Sequence, residues 1–453
     1  MSATITPPQT GANRRIVHAV GALLGAGAVV KIASTGKEFV LAGIYGRSDA
    51  MDAYLAAFLI PNLLVNLVAE SMNQALVPTL IRVMIHEGRV RAQQLISKSM
   101  LSLCGLLVVV SLATAALTPV IFPLIASGFF PDKLELSSRL FLALLPLVLF
   151  TGIASNCTAV LNTLDQFALP ALAQLAVPIS MVAGALMFHG RWGIWALVYG
   201  SVFGALVHGA VVAWMMNASG YRFRLAWTKG DEASREVARQ YVPVLFSSVV
   251  ASAGLLVDQA MAAMLPPGSV SALVFANRFV SVVVTLLAGA IASAVMPHMS
   301  SLIARRDWEQ CRRTLRTWSR GMAAISIPIA VLLISGAQPL VRLTLQHGAF
   351  GPRDTAVVKT VLAMYALQIP FFVVSRVYYR FVVAMRRTDL VLYCGVLNLL
   401  LDVVLNLVLM RCMGVAGIAL ATSCWSATTL LFLWYWGKRL LANADSLNNE
   451  ACA

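Results

Sequence analysis

Stretches of about 20 mainly apolar residues, the length one helix needs to cross a lipid bilayer, recur along nearly the whole chain between short polar breaks. In hydrocarbon such a segment must satisfy its own backbone N–H and C=O groups, which makes each one a helix. Twelve can be placed, over residues 17–45, 51–80, 99–127, 138–162, 169–189, 193–217, 240–265, 270–300, 321–344, 357–384, 390–411 and 414–437. The expected fold is therefore an all-α polytopic membrane protein with twelve transmembrane helices. Composition agrees, with 59% hydrophobic and 12% charged residues, whereas soluble domains carry about 45–50% apolar and about 25% charged. A water-soluble enzyme, a disordered chain and a nucleic-acid-binding domain are excluded on that ground. Pro61 inside the second span predicts a kink. Residues 1–16, with Pro7, Pro8 and no apolar core, read as a short tail and not as a cleaved signal peptide.

The chain carries a net charge of +15, and the location of that charge gives its meaning. Arg14 and Arg15, the loop from Arg82 to Lys98, the segment from Arg222 to Arg239, the loop from Arg305 to Arg320, the pair Arg386 and Arg387, and Lys438 with Arg439 hold most of the Lys and Arg residues. The alternate loops hold few, among them Arg47, Lys133, Arg191, Arg342 and Arg353. Cytoplasmic loops are the basic ones, so both termini are expected in the cytoplasm, which requires an even number of spans. Orientation and lipid-headgroup contact account for the basic loops, and no nucleic-acid partner is needed.

The polar segment 218–239 divides the spans six and six. The expected organisation is an N-tail (1–16), an N-lobe (17–217), a cytoplasmic linker (218–239), a C-lobe (240–437) and a cytoplasmic C-tail (438–453). An offset of 221 residues carries Gln166 to Arg387 and Gly193, at the start of span six, to Gly414, at the start of span twelve. These matches imply an internal duplication: two six-helix lobes around a central cavity, with alternating access from rocking one against the other.

Ionisable residues inside the spans cost about 2.5–3.5 kcal/mol at the bilayer centre, so they face a partner or a wet cavity. They are Lys31, Lys37 and Glu38 in span one, Asp52 and Glu70 in span two, Asp258, Arg278, Arg376 with Arg380, and Asp402. In a regular helix Lys31 and Glu38 share a face, as do Asp52 and Glu70, five turns apart. Asp258 and Arg278 flank Pro266-Pro267-Gly268 at similar depth, where they pair or share a cavity. A structural ion pair or a snorkelling side chain explains any one of these residues. Together they suit a polar cavity with basic walls and an anionic, phosphate-bearing substrate. The seven cysteines and six histidines are dispersed without metal-ligand spacing, so neither a metal nor a cofactor is expected. Neither a phosphate-binding loop nor a nucleophile or zinc motif is present, so the chain reads as a non-enzyme. Membrane potential or a monovalent cation gradient is left as the driving force.

At Lys37-Glu38-Phe-Val-Leu-Ala-Gly-Ile-Tyr-Gly46, then Asp52-Ala-Tyr54, Ile60-Pro-Asn-Leu-Leu64, Ala69-Glu70 and Gln74-Ala-Leu-Val-Pro78, the chain resembles the MurJ/MviN lipid II flippases of the multidrug/oligosaccharidyl-lipid/polysaccharide transporter superfamily. The resemblance continues at Ala276-Asn-Arg278, His347-Gly-Ala-Phe350 and Gly414 through Thr422. It implies two six-helix lobes around a cavity and movement of an undecaprenyl-diphosphate-linked glycan from the inner to the outer leaflet. Lys31, Lys37, Arg278 and Arg376 would hold the diphosphate; Glu38, Asp52, Glu70 and Asp258 would tune or gate the cavity. Lys31 and Lys37 stand where the family usually has Arg, Val65-Asn66 replaces its Arg pair, and its two further C-terminal helices do not follow span twelve. These departures leave lipid II or an exopolysaccharide or O-antigen repeat unit as substrate. The rival readings are a cation-coupled multidrug exporter and a non-transporting scaffold that recruits envelope-synthesis enzymes as partners.

Overall fold

The computed structural model describes residues 10–223 and 232–452. The N-tail up to residue 9 and the middle of the linker, 224–231, lie outside them, as does Ala453. Every regular element among the described residues is helical. In chain order they are α1 (Thr10–Tyr45), α2 (Asp49–Leu64), a π-helical turn (Val65–Glu70), α3 (Ser71–His86), α4 (Arg89–Ala116), α5 (Thr118–Ile125), α6 (Pro131–Thr163), α7 (Ala168–Ala173), α8 (Ala176–Trp192) and α9 (Trp195–Ala218). Then come α10 (Glu232–Ala263), α11 (Ser269–Ala304), α12 (Trp308–Ser335), α13 (Ala337–Leu345), α14 (Pro352–Ala366), α15 (Gln368–Ala384), α16 (Thr388–Met413) and α17 (Val415–Cys452).

Eleven segments of the described residues are long and apolar enough to cross a membrane, and they fall on the second to twelfth expected spans. The first expected span lies in α1. Large apolar side chains point outward from several of these segments, with Met187 73%, Leu332 70% and Trp214 69% exposed. Water would not tolerate such a surface, and hydrocarbon requires it. Several boundaries differ from expectation, those of the third and ninth spans among them. The third span begins ten residues earlier, at Arg89, and breaks at Leu117 before the short α5, where Pro119 has no N–H to continue the helical ladder. The ninth ends at Ser335, and Gly336 passes the chain to α13.

The second span is not one regular helix. Pro61 sits inside α2, and the π-helical turn Val65–Glu70 inserts extra backbone before α3. The condition for Asp52 and Glu70 to face alike therefore fails: Asp52 is 1% exposed and Glu70 is exposed.

The chain forms two compact units. One comprises residues 1–41, 57–121 and 137–249; the other comprises 42–56, 122–136 and 250–453. In the first, α8 and α9 pack backbone to backbone. A Cβ at Gly204 would stand 2.7 Å from Val177 Cα, and one at Gly200 2.8 Å from the Ser180 carbonyl oxygen. Small residues four apart are how helices approach closely where no hydrophobic effect drives them together. In the second unit α17 packs against α14, α15 and α16.

The internal repeat is written in the backbone. Gly193 ends α8 at φ 54°, ψ −129°, and Gly414 ends α16 at φ 58°, ψ −136°. Both angles lie where a Cβ is strained. Asp165 and Arg386, also 221 residues apart, are two of the three non-glycine residues with positive φ among those described, at 60° and 58°.

Candidate functional site

Among the charges of the apolar spans, Asp52 is held from several sides. It lies at the start of α2, buried, and receives two backbone N–H groups at the beginning of α11: Gly268 N donates to Oδ2 at 2.7 Å and Ser271 N to Oδ1 at 2.9 Å. The first N–H groups of a helix have no partner within it, and a carboxylate there meets both the free donors and the positive end of the helix dipole. Lys133 Nζ neutralises the same carboxylate at 3.1 Å and reaches Asp49 at 2.7 Å. Its position is fixed by the Phe129 ring, whose centroid lies 4.1 Å away.

Arg47 closes the other side of this cluster. Its Nε donates to the Gly268 carbonyl at 2.9 Å, and Nη1 pairs with Asp354 Oδ1 at 3.3 Å. Asp354 in turn accepts from Gly351 N and caps α14. The turn before Asp49 thus grips the starts of α11 and α14 at once. Next to it the two sequence motifs Ala42-Gly-Ile-Tyr-Gly46 and His347-Gly-Ala-Phe350 meet: Ala349 N donates to the Gly43 carbonyl at 2.7 Å, and a Cβ at Gly43 would run into the His347 ring. All of these residues belong to the second unit.

A second cluster lies where α10 and α16 meet. Asn406 Nδ2 donates to Asp258 Oδ1 at 2.8 Å and stands 3.3 Å from Asp402 Oδ1. Asp402 is 3% and Asn406 0% exposed; Thr422 and Tyr365 lie beside the pair. Asp258 thus has a hydrogen-bond partner on α16; the sequence offered Arg278 on α11 as its partner or its neighbour in a shared cavity. Two carboxylates and the Asn406 Oδ1, which has no hydrogen-bond partner among the described residues, make a buried group of oxygens. Hard monovalent cations and protons are what such a group can hold.

The other charges expected from the sequence are more scattered. Lys37 pairs with its neighbour Glu38 at 3.1 Å, both largely buried on α1. Lys31, half-buried, lies on the same helix, and its carbonyl accepts from the Thr35 hydroxyl. Glu70 Oε1 accepts from Ser155 Oγ at 2.6 Å, and Asn73 Nδ2 donates to the same hydroxyl. Asn62, Asn66 and Glu70 are exposed within an apolar span, and a face of that polarity belongs against water. Arg278 is half-buried in the third turn of α11. Arg376 is held by aromatic faces of its own helix, 4.2 Å from the Phe372 centroid and 5.5 Å from that of Tyr379. Among the described residues no carboxylate forms an ion pair with it. A half-buried cation partnered by π-faces keeps its affinity for an anion.

Sequence reasoning missed Arg47 and Lys133, read only as sparse charges of the alternate loops, and Asn406. For Asn406 a signal existed: it lies one helical turn from Asp402 in an apolar span. For the other two the signal was absent, because a loop charge reads the same whether or not it pairs.

Residues 41–448 match the family described as lipid II flippase MurJ. A probable lipid II flippase MurJ of Haemophilus influenzae is 25% identical over 427 residues, spanning 90% of this chain and 83% of that protein. A lipid II flippase MurJ of Burkholderia cenocepacia is 26% identical over 351 residues, spanning 74% and 67%. Among solved structures, a lipid II flippase MurJ in an inward closed conformation superposes with TM-score 0.78 at 22% identity, over 92% of this chain and 87% of that one. An inward-facing multidrug resistance MATE family transporter of the MOP superfamily gives 0.75 at 12% identity, over 94% and 99%. The two likenesses fix an all-α transporter fold, and with the match over 41–448 the chain, a multi-pass membrane protein, belongs to the lipid II flippase MurJ family.

Proposed function

We propose that this protein moves lipid II, an undecaprenyl-diphosphate-linked glycan, from the inner to the outer leaflet of a bacterial inner membrane by alternating access. The observation that carries this reading is the family match over residues 41–448. The charge pattern supports it: a diphosphate in low dielectric needs cations, and Lys31, Lys37, Arg278 and Arg376 supply them within apolar spans.

In this reading Asp52 is the gate. It holds the start of α11 while Arg47 holds α14, so one conformation is stabilised by a closed set of charge-assisted hydrogen bonds. Releasing that set is the event a bound substrate has to favour, and a ligand shifts such an equilibrium only by its difference in affinity for the two states. Glu38 tempers the Lys37 charge and Glu70 polarises the water-facing side of the second span. The group of Asp258, Asp402 and Asn406 couples the cycle to a proton or a monovalent cation, since occupancy would remove the repulsion between the carboxylates. Both termini face the cytoplasm, as the basic loops require.

The test is rescue of growth in cells depleted of their own lipid II flippase. The wild-type chain is expected to restore growth, and the double variant Lys37→Ala/Arg278→Ala, inserted at matched level, to fail. Growth restored equally by the double variant would remove the diphosphate role of these two cations.

A further inference from the structure

Arg312, Arg316 and Arg320 recur every four residues at the start of α12 and so form one stripe on its surface. The stripe is one wall of a groove of about 530 Å3 whose opposite wall is Tyr378 of α15 with Trp434 and Lys438 of α17. Four cations line it and, among the described residues, no carboxylate does. Lys438 Nζ sits 3.8 Å above the Trp434 ring, which fixes the ammonium at the groove edge. Ser319 lines the same groove, and its hydroxyl has no hydrogen-bond partner among the described residues. Leu315 and Leu441, both buried, give it an apolar base. None of these residues belongs to the Asp52 or the Asp258 cluster.

We propose that this groove binds the phosphodiester headgroup of an anionic phospholipid of the surrounding bilayer. Arg316, Arg320 and Lys438 take the phosphate oxygens. Trp434 and Tyr378 seat the glycerol backbone. The choice of a lipid over a free phosphate rests on position and composition. The groove opens at the ends of three apolar spans, where Trp and Tyr settle at headgroup depth and where Lys and Arg attract anionic lipid. Its apolar base suits the first carbons of an acyl chain and offers nothing to a small hydrated anion. The bound lipid belongs to the bilayer and is separate from the transported substrate, so this site stands whichever glycan the protein carries.

Native mass spectrometry of the full-length protein, delipidated and then given equal phosphatidylglycerol or phosphatidylcholine, tests this directly. Wild type is expected to retain phosphatidylglycerol selectively. Arg316→Gln/Arg320→Gln is expected to lose roughly tenfold or more of that binding, given about 1 kcal/mol per basic residue near anionic lipid. Arg316→Lys/Arg320→Lys keeps the charge and most of the binding. Arg313→Gln, in a residue paired with Glu309 and outside the groove, leaves it unchanged. Equal retention of the two lipids by wild type overturns the proposal whether or not the Gln variant folds, as does undiminished binding in a folded Gln variant. Displacement of the lipid by an equal concentration of water-soluble glycerol phosphate would make the ligand a free phosphate and sink the lipid assignment.

Discussion

The Asp52 carboxylate and the Gly268 amide meet at 2.7 Å, and the carbonyl of the same glycine is taken at 2.9 Å by Arg47. One peptide turn before α11 is thereby held by both of its polar groups from residues some 220 positions earlier in the chain. Asp52→Asn keeps the shape and loses the charge, together with one acceptor oxygen. It is expected to weaken the closed set by about 1.5–3 kcal/mol, the worth of a hydrogen bond to a charged group, and to cut transport by more than tenfold. Ser271, fully buried beside this contact, provides the reporter. In a background without native cysteines, Ser271→Cys should react with a membrane-impermeant thiol reagent faster when Asp52→Asn is present. Equal rates would show that Asp52 does not hold the turn.

Gly43 and His347 are coupled by sterics alone. A side chain at Gly43 would occupy the space of the imidazole, and overpacking of this kind costs about 1–3 kcal/mol. Gly43→Ala is expected to lower the unfolding temperature in detergent, and Gly43→Ala/His347→Ala to recover part of the loss. Additive losses in the double variant would contradict the contact.

The α8 and α9 pair depends on absent side chains. Gly204→Val should destabilise the first unit, since even its Cβ would fall 2.7 Å from Val177 Cα. Gly105→Ala, with nothing within 4 Å of an added Cβ, should be neutral or slightly stabilising, because Ala is the better helix former by about 1 kcal/mol. Thermal unfolding of the two variants side by side distinguishes them, and a similar loss in both would contradict the packing.

The Asp258, Asp402 and Asn406 group predicts a loss of coupling without a loss of substrate. Asp258→Asn keeps a hydrogen-bonding partner for Asn406 but removes the charge that draws a cation. Transport in reconstituted vesicles is expected to become insensitive to the imposed proton or monovalent cation gradient, while binding of the lipid-linked diphosphate persists. A gradient dependence equal to that of wild type would exclude this group from coupling.

Much of this architecture was legible in the sequence, and for one reason: a bilayer imposes a single length and a single secondary structure on every crossing segment. The 221-residue repeat was legible because turns constrain residue choice, and Gly193 and Gly414 share one strained conformation. The π-helical turn at Val65–Glu70 was not, since it changes no side chain's hydropathy and only rotates α3 relative to α2. The site was half legible. Charge inside an apolar span pointed to Asp52, Asp258 and Arg376, yet apart from Lys133 beside Asp52 the partners named above are backbone amides, a neutral amide and aromatic rings, groups that carry no charge signal. Helical spacing put Asp52 and Glu70 on one face of a regular helix, and depth left Asp258 and Arg278 to pair or share a cavity. Neither spacing nor depth specifies how a kinked helix is rotated.

The central claim is movement of lipid II across the bilayer. Its most direct measurement is the accessibility of lipid II to an outer-leaflet probe in cells depleted of their own flippase and expressing this protein, with Lys37→Ala/Arg278→Ala at matched expression as the control. The account predicts outward movement with wild type and its loss with the double variant. Correctly inserted wild-type protein that leaves lipid II on the inner leaflet would contradict it.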